Sequence, residues 1–155
     1  MEVKAGENFR KEIGKAQRVC LDSSIFIYHL ENISPYNILT SILIEEIAEG
    51  NVFCNIPVLV ITELLTRPFK NKDFNLITIF EEFIKSLPNS MIFDINFSIA
   101  RLAAKIRAEK NLKTPDAILI ATSLASSSDY FITNDLSLKN IIIKDLSVLV
   151  LEEFL

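Results

Sequence analysis

The sequence predicts an α/β fold, with a parallel sheet covered by helices on both faces. Three observations point to it. Short apolar runs alternate along the chain with longer segments whose apolar residues recur at helical spacing, the order of βαβ units. Half of the residues are hydrophobic and 23% are charged, which suits strands buried on both faces, a subunit interface, or both. A chain of 155 residues fits one domain and buries roughly 70% of its unfolded surface.

In order along the chain, residues 1–16 are polar and charged and read as an N-terminal extension, helical from Glu7 to Lys15, ahead of a single domain over residues 17–155. Residues 18–22, RVCLD, are a short apolar run that closes on an acid. Ser23 and Ser24 then offer capping hydroxyls to the short helix IFIYHLE. After Pro35, YNILTSILIEEIAEG carries Ile38, Ile42 and Ile47 at helical spacing, with Gly50 at its C-cap. NVFCN reads as the second strand and Pro57 as the start of the helix VLVITELLTRPF. A helix over about residues 73–87 is broken by Pro88 and Asn89. MIFDI is a third strand and NFSIARLAAKIRAEKNL a strongly patterned helix. TPDAILIATSLASSS opens with Thr114 as N-cap and Pro115 at the first helical position. DYFIT is a fourth strand, followed by the polar turn NDLSLKN and a closing apolar pair, IIIKDL and SVLVLEEF.

Composition narrows the chemistry. No apolar run approaches the ~18 residues that span a bilayer. The charged N-terminus is neither signal peptide nor anchor, so no membrane association and a cytoplasmic location are expected. Cys20 and Cys54 lie in apolar strands and read as buried, reduced thiols, and no Cys/His cluster suggests zinc. His29 is the only histidine and cannot complete a Ser-His-Asp or Cys-His site by itself. The net charge of −4 argues against holding nucleic acid by bulk electrostatics. It leaves nucleic acid open as a substrate, because bound divalent ions offset local carboxylate charge. Arg101, Lys105, Arg107, Lys110 and Lys113 read as a solvated helix face, with RNA contact as the other reading.

Four acids stand where an open α/β sheet binds ligands, beyond the carboxyl ends of its strands. Asp22 closes the first strand, and Asp135 follows the fourth by two residues. Asp116 lies in the first turn of the helix leading into the fourth strand, and Glu63 in the second turn of the helix after the second. Taken singly, each has an ordinary reading: a helix cap, a solvated glutamate, a partner of the helix dipole, a turn acid. Together they repel one another and raise each other's pKa unless a cation offsets them. Oxygen donors without sulfur or imidazole point to Mg²⁺ or Mn²⁺ rather than zinc. Such ions ionise a bound water and stabilise in-line attack on a phosphodiester. Phosphodiester hydrolysis is the chemistry that fits.

The segments LDSSIFIYHLE, ITELL and TPDAILIATSLASSSDYFITND resemble the PIN domain, and specifically the VapC-type toxins of prokaryotic toxin–antitoxin pairs. The likeness runs over about residues 18–150. It implies a three-layer α/β/α sandwich with a parallel sheet of four or five strands, and Mg²⁺- or Mn²⁺-dependent cleavage of single-stranded RNA. Carried over by match, Asp22, Glu63, Asp116 and Asp135 are the four catalytic, metal-holding acids, and Thr133 is the hydroxyl that helps position the metal site. Ser24 is expected to help orient Asp22. Asn134 reads as a turn residue, or else as a group standing behind the metal ligands. The resemblance also implies a homodimer and an antitoxin partner whose C-terminal segment wraps the toxin near its active site. One departure is that seventeen residues precede the first strand, more than in many toxin members.

Other readings remain open on the sequence alone: an RNA-processing PIN ribonuclease without an antitoxin, a phosphoacceptor signalling domain, or a non-catalytic module. A phosphoacceptor domain needs a strand-end lysine near its acids, and no strand end supplies one. A module that bound no metal would have little reason to bear the repulsion of four acids.

Overall fold

The computed structural model describes residues 1–155. Its elements run α1 (Glu2–Ile13), β1 (Arg18–Leu21), α2 (Ser23–Leu30), α3 (Tyr36–Ala48), β2 (Phe53–Pro57), α4 (Leu59–Lys70), α5 (Phe74–Ser86), β3 (Ser90–Phe93), α6 (Phe97–Lys110), α7 (Thr114–Ala125), β4 (Tyr130–Thr133) and β5 (Ser147–Val150). Two 3₁₀ turns, Leu136–Leu138 and Leu151–Phe154, follow β4 and β5.

The five strands form one parallel sheet in the order β3-β2-β1-β4-β5. The central strands are apolar on both faces. Val19, Cys20 and Leu21 of β1 and all of β4 are buried, as a sheet covered by helices on both sides requires. The chain steps from β1 out to β2 and β3, then returns past β1 to lay down β4 and β5. Right-handed crossovers therefore place α2–α5 on one face and the α6–α7 pair on the other, giving the three-layer α/β/α sandwich. The change of direction falls between β1 and β4, the crevice where such sheets bind ligands. No helix is long and apolar enough to cross a membrane.

Several boundaries differ from the sequence reading. The first helix begins five residues earlier than expected, at Glu2, and it is not peripheral: Phe9 and Ile13 are fully buried in the same cluster as the sheet. Gly6 shows how closely α1 approaches α3. A Cβ there would lie 3.0 Å from the Ile42 side chain, so a residue that weakens a helix is accommodated for contact. Arg10 of α1 also pairs with Glu45 (2.7 Å) and Glu46 of α3.

Pro57 ends β2 instead of starting α4. β1 pairs only with residues 53–55, so Pro57's missing N–H faces no central ladder, and the strand can run through it. In α7, Lys113 rather than Thr114 is the N-cap, and Pro115 is the second helical residue, still within the turn whose N–H groups have no helical partner. Of the closing apolar pair, only Ser147–Val150 is a strand; residues 143 and 146 form a lone bridge and 151–154 a 3₁₀ turn. The polar turn after β4 contains the 3₁₀ turn Leu136–Leu138, capped by Asp135.

Candidate active site

Asp22 is the first residue beyond β1 and the N-cap of α2. Its N–H continues the ladder to Ile132 of β4 (3.0 Å), which fixes the backbone at the crevice. Both carboxylate oxygens are engaged. Oδ1 accepts the Ser23 N–H at 2.7 Å and, at 3.4 Å, the Ser23 hydroxyl. Oδ2 accepts the Thr133 hydroxyl at 2.6 Å.

Thr133, the last residue of β4, is fully buried, and its Oγ1 also accepts the Asp135 N–H at 3.1 Å. One hydroxyl thus joins the end of β1 to the loop after β4. Asp135 is exposed, and its Oδ1 accepts the Ser137 N–H at 2.9 Å. Asp116 sits half-buried in the first turn of α7, and Glu63 points from the second turn of α4 with part of its surface in solvent.

The structure links the four acids electrostatically through Asp22 and Asp116, on which Asp135 acts and which in turn act on Glu63. Asp22 is raised above the usual carboxylate range, chiefly by burial, with Asp135 adding to the shift while the Thr133 and Ser23 bonds oppose it. Glu63 is pushed up to about 7 by partial burial and by the charges of Asp22 and Asp116. Asp116 is raised by burial, then by Asp135 and Asp22, and Lys113 works the other way. Like charges held together in this way disfavour ionisation, and a cation reverses the effect.

No three acids stand at coordinating distance of one point in this arrangement. The donor set still fits a hard divalent ion: four carboxyls, oxygen donors only, with no sulfur or imidazole among them. The Ser24 hydroxyl, two residues after Asp22 on the first turn of α2, is buried without a partner.

Two expectations about neighbouring residues change. Ser23, not Ser24, orients Asp22, because the first helical N–H folds back onto the cap carboxylate. Asn134 is more than a turn residue: its amide bonds Tyr28 and the backbone of Glu152. His29 stands apart from the acids, packed on Phe83 at 5.5 Å and held below its usual pKa by burial. Cys20 and Cys54 are free and buried, and burial pushes the Cys20 thiol up to about 12. Of the basic residues on and after α6, Lys113 is the one whose charge acts on an acid of the site.

A family model of the PIN domain matches residues 19–144. Among solved structures, the chain is similar to VapBC2 from Rickettsia felis bound to a DNA fragment from its promoter. That likeness has a TM-score of 0.63 and 19% identity, over 84% of this chain and 96% of that one. It is also similar to a toxin–antitoxin complex from Klebsiella pneumoniae, with a TM-score of 0.62 and 18% identity over 83% and 95% of the two chains. At these identities both speak for the fold. No curated protein sequence matches the chain. With the family match spanning four-fifths of its length and all four acids, the chain belongs to the PIN-domain family, a family of nucleases.

Proposed function

We propose that this protein is a Mg²⁺- or Mn²⁺-dependent endoribonuclease that cleaves single-stranded RNA, and that it acts as the toxin of a toxin–antitoxin pair. The observation that carries the nuclease reading is the set of four carboxyls at the β1–β4 crevice, three of them raised above their ordinary pKa. Asp22, Asp116 and Asp135 would hold the ion directly. Glu63 would hold it through water or orient the attacking water. A bound divalent ion would supply Lewis-acid activation of water and stabilisation of charge on the phosphodiester. Thr133 and Ser23 fix the Asp22 carboxylate, so that its two oxygens are oriented before any ion arrives.

The toxin reading draws on the VapBC and toxin–antitoxin complexes that share the fold. Exposed Phe69, Phe74 and Phe97 supply apolar surface that a partner protein or a second copy would cover. We place the mature protein in the cytoplasm, as a homodimer held in check by an antitoxin. The test uses purified chain and a defined single-stranded RNA with Mg²⁺. Cleavage should be present in the wild type and lost in Asp116→Asn, whose fold survives. Induced expression in bacteria should arrest growth with the wild type and not with the variant. Cleavage without arrest would favour RNA processing over a toxin role, and equal cleavage by the variant would overturn the nuclease site.

A further inference from the structure

Between Thr133 and Asp135 lies Asn134, whose side chain points away from the acids and is engaged at both ends. Its Oδ1 accepts the Glu152 backbone N–H at 2.9 Å, and its Nδ2 donates to the Tyr28 hydroxyl at 3.3 Å. The two partners come from different parts of the fold. Tyr28 lies on α2, the helix that Asp22 caps, and its ring stacks on Tyr36 of α3 with centroids 4.5 Å apart. The Tyr36 hydroxyl donates to the Glu152 carboxylate at 2.6 Å, closing a ring of contacts around Asn134.

Glu152 is itself well held. It belongs to the 3₁₀ turn after β5, whose Leu151 is fully buried and whose Phe154 packs edge-on against Phe9 of α1 at 5.1 Å. Both α1 and this turn lie outside the residues matched to the family. Helix α2 and the C-terminal turn therefore meet on one carboxamide, with α3 tied to both through Tyr36 and α1 to the turn through Phe154. The residues on either side of Asn134 are those that bind the Asp22 carboxylate and supply the fourth acid.

We propose that Asn134 is a positioning residue, which fixes the loop carrying Asp135 against the β1 end so that Asp135 and Asp22 can share one divalent ion. The inference rests on the metal-dependent reading above. A carboxamide suits the place because it offers an acceptor to Glu152 and a donor to Tyr28 at once. Without it, Asp135 keeps only bonds to near neighbours in sequence: its N–H to Thr133, its carboxylate cap on Ser137 and its carbonyl to the Leu138 N–H. Groups behind metal ligands typically change affinity by about 10- to 100-fold when removed.

The test is Mn²⁺ binding to the whole protein, read from the electron paramagnetic resonance signal of free Mn²⁺, for wild type, Asn134→Ala, Tyr28→Phe and Asp22→Asn. Asn134→Ala should bind about tenfold more weakly, and Tyr28→Phe, which loses one of the two bonds, should weaken binding by less. RNA cleavage by Asn134→Ala should recover toward the wild-type rate as Mn²⁺ is raised by the same factor, a recovery that a loss of folding would not give. Wild-type affinity in Asn134→Ala overturns the proposal. Should that variant fail to fold, wild-type affinity in Tyr28→Phe overturns it instead. Absence of binding by the wild type, or full binding by Asp22→Asn, would overturn the metal reading and this inference with it.

Discussion

Glu63 has the most altered carboxyl of the four, and the sign of its effect on stability can be worked out. In the unfolded chain it titrates near 4.5, and in the fold near 7. Between those values the folded protein keeps a proton that the unfolded chain has lost, so stability falls as pH rises. The contribution is fully present below about 4.5 and gone above about 7. In metal-free buffer, urea unfolding at pH 5 and pH 8 should therefore show a loss of stability toward alkaline pH, and Glu63→Gln should reduce that loss. A variant with the same pH dependence as the wild type would mean that the Glu63 carboxyl stands free of its neighbours. The four acids were legible in the sequence because each lies close to a strand end or in the first two turns of a helix, where local pattern fixes position. The support behind them was not. Asn134 and Tyr28 are 106 residues apart and Asn134 and Glu152 are 18 apart, and no local pattern links such pairs.

At the scale of elements, periodicity carried most of the order of strands and helices, while their ends depended on tertiary pairing. β2 runs through Pro57 because β1 stops short of it, which a single-segment reading cannot see. The N-terminal helix is the larger difference. Polar composition suggested an extension, yet three of its positions, Gly6, Phe9 and Ile13, face the interior, where Phe9 meets Phe154. Phe9→Ala should cost about 3–5 kcal/mol, within the usual range for a buried phenylalanine. Urea denaturation would show a lower midpoint with an unchanged slope. A shift below about 1 kcal/mol would mean that α1 is a detachable appendage.

For the whole molecule, the decisive feature is the strand order. Because the chain builds β1, β2 and β3 on one side and returns to β4 and β5 on the other, the ends of β1 and β4 become neighbours, and Asp22 meets Thr133 and Asp135 there. Alternating strands and helices made the parallel sheet readable, but the order of strands within it rests on pairings between distant segments. The same topology delivers Glu63 from α4 on one face of the sheet and Asp116 from α7 on the other. A net charge of −4 leaves this acidic rim without general basic compensation, a charge that a divalent ion would offset. The most direct measurement is cleavage of a defined single-stranded RNA across a Mg²⁺ or Mn²⁺ series, with the wild type and Asp22→Asn prepared side by side. Product should rise with metal, disappear with chelator, and be absent at every metal concentration in Asp22→Asn; cleavage by that variant at the wild-type rate would contradict a metal-dependent site built on Asp22.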